Sequence, residues 1–258
     1  MYGGELIHQT SDEFGSIEVV DTQQKIRSLH FGNKTQQSAM LLNHPFILIH
    51  KYAQAMMLPL CWTQPKKVLV LGLGSGSIVK YLYNYFQDIH IDAIELRPEV
   101  INVASEFFLL PECNQRFKIY NESAFEWLEN ANKNAHSESE KYDLIVVDMF
   151  LTSKTGKDIT IDISSVVINI YSLLNENGAI TFNQLGENIF SYSAFDSLLA
   201  VFLTHQLFCV DIDSSNTILL ASKAGIPANI PDETFRQFEK NYSSPFKNYF
   251  ERLYPVFG

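Results

Sequence analysis

The sequence is short of positive charge, with 19 Lys and Arg residues against 29 Asp and Glu and a formal net charge of −10. Proteins that hold nucleic acid through its backbone need basic surface to neutralise the phosphates. This balance therefore disfavours a nucleic-acid partner. An acidic protein suits a cationic small molecule, although acidity also serves solubility. We expect a small-molecule amine as the ligand.

Cysteine is scarce, and long apolar runs are missing. Cys61, Cys113 and Cys209 lie far apart and give neither a disulfide framework nor metal-ligand spacing, so we expect no metal and a reducing, cytoplasmic location. No run approaches the roughly 18 apolar residues of a membrane span. The first residues lack the basic and apolar stretches of a signal peptide. We expect no membrane partner.

A glycine-rich turn between a buried strand and a helix is the strongest feature present. Residues 68–77 read Val-Leu-Val-Leu-Gly-Leu-Gly-Ser-Gly-Ser, and apolar residues then recur at spacings of three and four. Glycine allows a ligand to approach the backbone closely, and a helix N-terminus directs free N–H groups towards it. Gly72, Gly74, Ser75 and Gly76 are therefore candidate cofactor-binding residues. The alternative is a tight connection without a ligand.

A second predicted strand, residues 89–96, carries Glu95 near its end, 23 positions after Gly72. In a strand-helix-strand unit, an acid at this distance lies at the carboxyl end of the neighbouring strand and can accept both ribose hydroxyls. The turn and Glu95 together predict an adenosine-containing ligand. A solvated acid at a strand end is the alternative.

The order of the predicted elements indicates the fold. A small antiparallel β piece (residues 16–31) and a helix (46–58) precede alternating strands and helices, including a helix over 163–174 that stops at Asn177-Gly178. The last two predicted strands are joined by residues 213–216, a link long enough only for a hairpin.

This order predicts an α/β fold of the class I S-adenosylmethionine methyltransferase type. Its Rossmann-like sheet has seven strands, of which the sixth and seventh form a hairpin, and a small N-terminal β domain precedes it. The predicted domains are residues 1–60 and 61–258, and the aromatic tail is predicted to be helical. An all-parallel dehydrogenase sheet is disfavoured.

Asp148 ends the fourth predicted strand of this sheet. Ligands of open α/β sheets lie beyond the carboxyl ends of the strands at the topological switch point, so we expect Asp148 beside the glycine turn. A carboxylate there can hold a cationic amine or take its proton, which makes Asp148 the catalytic candidate. A sheet-end acid without chemistry is the alternative. Gln37, Tyr52 and Gln184 are substrate-binding candidates at the rim, where Asn183 could also reach.

With these residues in place, residues 14–223 resemble the spermidine synthase (polyamine aminopropyltransferase) family. The matching motifs include the Gln37-Ser38 step, the Met57-Leu-Pro-Leu60 segment, the glycine turn and residues 142–148. The resemblance implies transfer of an aminopropyl group from decarboxylated S-adenosylmethionine to a polyamine or other amine. It also implies that Glu95 holds the ribose, that Asp148 activates the amine and that the protein is a homodimer.

The chain departs from the family pattern at several places. Ser75 replaces an aspartate that holds the aminopropyl amine, and Leu151 stands where a polyamine-binding carboxylate would be. Ser123, with Glu122 beside it, replaces an aspartate near the adenine, and both are kept as cofactor-binding candidates. These departures indicate a divergent, spermidine synthase-like member. The alternatives are a methyltransferase that uses S-adenosylmethionine itself, for whose carboxylate Ser75 leaves room, and a non-catalytic nucleoside-binding homologue.

Overall fold

A four-stranded antiparallel sheet begins the chain. A computed structural model describes residues 3–134, 140–152, 158–160, 164–185, 193–202, 206–212 and 216–256. The sheet has the strand order β1-β2-β3-β4, with β1 Glu5–Asp12, β2 Gly15–Asp21, β3 Ile26–His30 and β4 Ser38–Leu41. The sequence predicts β2 and β3 but not β1 and β4. The strand β1 is a polar edge strand whose residues are exposed or half-buried, so its sequence lacks a clear apolar alternation.

The central sheet has eight strands. They are β5 Lys67–Leu71, β6 His90–Ile94, β7 Phe117–Tyr120, β8 Tyr142–Val147, β11 Leu174–Leu185, β12 Leu207–Val210, β13 Asn216–Ser222 and β14 Leu253–Pro255. Their order is β14-β12-β13-β11-β8-β5-β6-β7, and the run from β11 to β7 is parallel. The antiparallel pairing of β12 with β13 confirms the predicted hairpin and the Rossmann-like fold. A separate two-stranded sheet joins β9 Phe150–Thr152 to β10 Asp158–Thr160.

The prediction of seven strands is wrong by one. In the tail, which is predicted to be helical, residues 253–255 form β14 and pair antiparallel with β12, so that Cys209 lies opposite Tyr254. Without β14, the backbone of β12 would present unpaired N–H and C=O groups at the edge of the sheet. The aromatic spacing of the tail gives no sign of this pairing, because the partner strand creates it.

The structure describes nine α-helices, two of them shorter than their apolar patterns predict. They are α1 Lys51–Met56, α2 Leu60–Thr63, α3 Ser77–Tyr85, α4 Pro98–Phe107, α5 Ala124–Asn134, α6 Val167–Ser172, α7 Ser193–Val201, α8 Asp232–Tyr242 and α9 Phe246–Phe250. The helix predicted from residue 46 begins only at Lys51, because His50 has an extended backbone (φ −74°, ψ 131°). The helix predicted to stop at Asn177-Gly178 ends at Ser172, since β11 already pairs with β8 at Leu174.

The N-terminal sheet packs on α4, where Ile17, Val19 and Leu29 meet Val100 and Phe108 in one buried cluster. Helices α1 and α2 instead belong to the core of the central sheet. The two-domain division at residue 60 stays a prediction. Among the described residues, no helix combines the length and apolarity needed to cross a bilayer.

A buried ion pair joins the N-terminal sheet to the central sheet. Arg97, which follows β6, donates from Nε and Nη2 to the two carboxylate oxygens of Asp12 at 2.8 and 2.9 Å, and also to the carbonyl of Gly15 at 3.1 Å. The guanidinium lies 4.5 Å from the centre of the Phe31 ring. The side chains of Arg97 and Asp12 are only 4% and 12% exposed, so each charge depends on the other.

We expect Asp12→Ala to lower the free energy of unfolding by about 3 to 5 kcal/mol, because it leaves the Arg97 charge buried without a partner. Urea unfolding followed by circular dichroism measures the change. The control is Asp88→Ala, which removes an exposed carboxylate from its pair with Lys66 and should cost at most about 1 kcal/mol. Equal effects of the two substitutions would contradict the role of the buried pair.

Candidate active site

A cavity opens at the carboxyl ends of β5, β6 and β8. Its floor is the glycine turn after β5, and its sides come from β4, from the segment that enters α1 and from the residues that follow β6, β7 and β8. The predicted site residues in its wall are Gln37, Tyr52, Gly72, Gly74, Glu95, Ser123 and Asp148. Most of the other wall residues are apolar. The cavity therefore lies at the switch point that the fold predicts.

The glycine turn packs directly against the backbone of Asp148. Gly72 has a φ of 93°, and a Cβ added there would overlap the carbonyl oxygen of Asp148. The amide of Asp148 donates to the carbonyl of Leu71 at 2.9 Å, and the amide of Gly72 donates to that of Ile94 at 2.9 Å. The turn, the end of β6 and Asp148 thus have fixed relative positions.

Ser75 and Gly76 lie behind the cavity wall, contrary to the expectation that they face a ligand. The Ser75 side chain is fully buried, and its Oγ lies 2.6 Å from Ser38 Oγ and 3.0 Å from Ser77 Oγ. Gly76 caps α3 with a φ of 72°. The turn directs the Ser75 side chain towards β4, so Ser38 and Ser77 replace it in the wall. Sequence spacing within the turn cannot reveal this orientation, because it depends on contact with the N-terminal sheet.

Glu95 lies at the carboxyl end of β6 with its carboxylate held by two backbone amides. Leu73 N donates to Oε2 at 3.0 Å, and Arg97 N donates to Oε1 at 2.9 Å. Burial raises the pKa of Glu95, while these two N–H groups oppose that shift. Each carboxylate oxygen has a further lone pair. Glu95 can therefore accept hydrogen bonds from a ligand without losing its supports.

The two candidates at the start of α5 separate in the structure. Ser123 is in the cavity wall, as are the apolar Phe125 and Leu96, whereas Glu122 is half-buried and outside the wall. The expected replacement of an adenine-binding aspartate by Glu122 therefore has no support from the geometry. Ser123 remains a candidate cofactor-binding residue.

Two asparagine side chains form a chain of hydrogen bonds that ends on Asp148. Asn183 Nδ2 donates to Asp148 Oδ1 at 2.8 Å, and Asn216 Nδ2 donates to Asn183 Oδ1 at 2.8 Å. Burial raises the pKa of Asp148 to about 6, which the Asn183 hydrogen bond only partly offsets. Asp148 therefore changes charge close to neutral pH.

Gln184 does not reach the cavity wall. Successive side chains of a strand point to opposite faces, and the preceding residue on β11, Asn183, faces Asp148. Of the two rim amides considered from the sequence, the structure therefore brings Asn183 to the site and directs Gln184 away from it.

Gln37 and Tyr52 contact each other in the cavity wall. Tyr52 Oη donates to the Gln37 carbonyl at 3.2 Å, and burial together with the nearby charge of Asp148 raises the pKa of Tyr52 well above its usual value. His50 also lines the wall and stacks on Tyr52, with ring centres 5.4 Å apart. Its sequence context gives no sign of a site residue.

Residues 153–157 of the loop after Asp148 and 213–215 of the predicted hairpin link lie outside the described residues.

Similarity to known proteins adds to this geometry. The polyamine aminopropyltransferase of Chromobacterium violaceum is 42% identical over 101 residues, which are 39% of this chain and 39% of that protein. That of Neisseria meningitidis serogroup A is 34% identical over 133 residues, 51% of this chain and 48% of the relative. The aligned parts thus span less than half the length of these curated relatives.

A solved structure and a family model cover more of the chain. A probable spermidine synthase from Corynebacterium glutamicum has the same fold, with a TM-score of 0.71 at 16% identity over 91% of this chain and 88% of that one. The spermine/spermidine synthase domain model matches residues 49–196, more than half of the sequence. The chain therefore belongs to the spermine/spermidine synthase family.

Proposed function

We propose that the protein transfers an aminopropyl group from decarboxylated S-adenosylmethionine to an amine, with Asp148 activating the amine. The observation that carries the proposal is the position of Asp148, which packs against the glycine turn in the cavity that also contains Glu95. Membership of the family supports the same reaction.

The wall of the cavity fits an adenosine-containing donor. Glu95 is fixed at the end of β6, where both of its oxygens can accept from the two ribose hydroxyls. Ser123 and the apolar Phe125 and Leu96 form the adjoining wall, which suits the flat face and polar edge of adenine. When bound, the donor supplies an electrophilic methylene carbon attached to a sulfonium.

The chemical role of Asp148 follows from its charge. As a carboxylate it attracts the acceptor ammonium and takes one of its protons, which frees the nitrogen lone pair to attack the methylene carbon. The new N–C bond forms as the C–S bond breaks, and the electron pair of that bond returns to sulfur as a neutral thioether. The product nitrogen keeps a positive charge, and one proton is released overall.

The charges of the wall favour the decarboxylated donor over S-adenosylmethionine itself. Among the described wall residues, Arg97 is the one Lys or Arg, and its guanidinium is engaged by Asp12, Gly15 and the Phe31 ring. A donor carboxylate would therefore enter beside Asp148 and Glu95 without a cation to receive it. For this reason, methyl transfer is less favoured than aminopropyl transfer.

We expect calorimetric titration to show at least tenfold tighter binding of decarboxylated S-adenosylmethionine than of S-adenosylmethionine, because the extra carboxylate finds no cationic partner. Methylthioadenosine, which keeps the ribose, should also bind. Preference for S-adenosylmethionine would move the assignment to methyl transfer. Binding of none of the three would leave a fold without this activity.

The substitution Asp148→Asn keeps the size of the side chain and removes the charge. We expect turnover of accepted amines to fall by about two to four orders of magnitude, the usual loss for a general base. Asp88→Asn makes the same chemical change at an exposed site and should leave turnover unchanged. Equal turnover by Asp148→Asn and wild type would remove Asp148 from catalysis.

The pKa of Asp148 predicts a pH dependence. Its carboxyl is protonated below about pH 6 and ionised above it, so kcat/KM should fall as the pH decreases through about 6. Steady-state rates between pH 5 and about 8 test this, with a donor concentration held constant. A profile without an inflection near 6 would contradict the assignment.

The homodimer expected from the resemblance and the cytoplasmic location expected from cysteine usage remain predictions. The ligand roles of Gly72, Gly74, Glu95 and Ser123 are part of the proposal, as are those of Gln37 and Tyr52.

A further inference from the structure

Asn183 lies beside Asp148 but outside the wall of the cavity. In the parallel pair of β11 and β8, Phe182 lies opposite Val147, which brings the next residue of each strand, Asn183 and Asp148, level with each other. The Asn183 side chain is buried and donates from Nδ2 to Asp148 Oδ1 at 2.8 Å. Because Asn183 is not a residue of the wall, it can influence the reaction only through Asp148.

Asn216 determines the direction of the Asn183 amide. An asparagine can present either its oxygen or its NH₂ group to a neighbour. Asn183 lies opposite Ile218 in the pairing of β11 with β13, so Asn216 is its diagonal neighbour on the same face of the sheet. Asn216 Nδ2 donates to Asn183 Oδ1 at 2.8 Å. With its oxygen engaged in this way, Asn183 presents its NH₂ group to Asp148.

The hydrogen bond from Asn183 gives the two oxygens of Asp148 different roles. Oδ1 accepts from Asn183, and among the described residues no donor lies on Oδ2. A carboxylate held through one oxygen has a fixed plane, and its other oxygen keeps its lone pairs for a ligand. The same donor favours the ionised carboxylate, and so opposes the rise in the pKa of Asp148 that burial causes.

We propose that Asn183 is a positioning residue that fixes the Asp148 carboxylate through Oδ1, so that Oδ2 takes the proton of the acceptor amine, and that Asn216 holds the Asn183 amide in the required direction. This inference rests on the proposed aminopropyl transfer. It predicts that loss of Asn183 changes how Asp148 ionises and aligns, without changing the donor site around Glu95.

The other titratable groups in the described wall come from different elements. They are His50 and Tyr52 at the start of α1, and Glu95 and Arg97 after β6. The charge of Asp148 contributes to the raised pKa of Tyr52. Among the described residues, the side-chain hydrogen bonds of Asn183 go to Asp148 and Asn216, so a substitution of Asn183 acts on Asp148 first.

The substitution Asn183→Leu keeps the approximate size of the side chain and removes the donor. NMR titration of labelled aspartate carboxyl carbons, with the Asp148 signal assigned by its loss in Asp148→Asn, measures the pKa of Asp148 without any turnover. We expect Asn183→Leu to raise that pKa above its wild-type value of about 6, because the ionised form loses a hydrogen bond.

Steady-state kinetics test the alignment of Asp148. At about pH 8, where wild-type Asp148 is ionised, we expect kcat of Asn183→Leu to fall by about tenfold or more, the usual effect of losing a hydrogen bond to a charged group. The KM for the amine should change less than kcat, because the charge that attracts the ammonium remains. The affinity for decarboxylated S-adenosylmethionine should be unchanged.

The matched control is Asn175→Leu. Asn175 also lies on β11 and donates from Nδ2 to a carboxylate of β8, at 2.6 Å from Asp143 Oδ1, but near the amino end of β8. Its substitution should leave the pKa of Asp148 and kcat unchanged. Asn216→Leu removes the second link and should raise the pKa of Asp148 by less than Asn183→Leu does. Circular dichroism checks that each variant is folded.

The outcomes are distinct. An unchanged pKa of Asp148 in folded Asn183→Leu overturns the inference, and Asn216→Leu provides the same test if Asn183→Leu does not fold. Equal losses of kcat in Asn175→Leu and Asn183→Leu also overturn it, because they would reflect strand packing alone. Failure of the wild-type protein to turn over any amine overturns the proposed function instead, and the NMR titration distinguishes that result from a failure of Asn183 to act on Asp148.

Discussion

The placement of the Glu95 carboxylate by two backbone amides is the constraint on which the cavity depends. One amide comes from the glycine turn and the other from Arg97, so a single side chain joins the end of β5 to the end of β6. Arg97 in turn reaches Asp12 of the N-terminal sheet. Glu95, which we propose binds the ribose, and the attachment of the N-terminal sheet therefore both depend on Arg97, and a change in either would move the other.

Glu95 is buried and Asp148 is half-buried, and their surroundings suit different tasks. Two amide donors hold Glu95 in one orientation, which favours steady binding. Among the described residues, Asn183 is the side chain that donates to Asp148, and burial raises the pKa of Asp148 to about 6. A carboxylate with spare acceptor capacity near neutral pH is suited to receiving a proton.

The sequence predicts the parts of the site that local order determines. The glycine turn, Glu95 and Asp148 follow strands, and parallel strands bring their carboxyl ends to one edge. The directions of Ser75 and Gln184 are not predictable in the same way, because contact with β4 turns one away and strand alternation turns the other. No sequence pattern marks His50 as a residue of the cavity wall, since its position depends on where α1 begins. The edge strand β14 likewise depends on a partner distant in sequence, whereas β1 pairs with the adjacent β2 and lacks a clear apolar alternation.

The N-terminal sheet completes the cavity as well as covering α4. Its strand β4 and the residue just before it supply Ser38 and Gln37 to the wall, and Phe31, also in the wall, lies against the guanidinium of Arg97. A central sheet without this addition would leave the glycine turn open to solvent on that side. Enclosure lowers the local dielectric, which raises the pKa of Asp148 and strengthens its attraction for an ammonium.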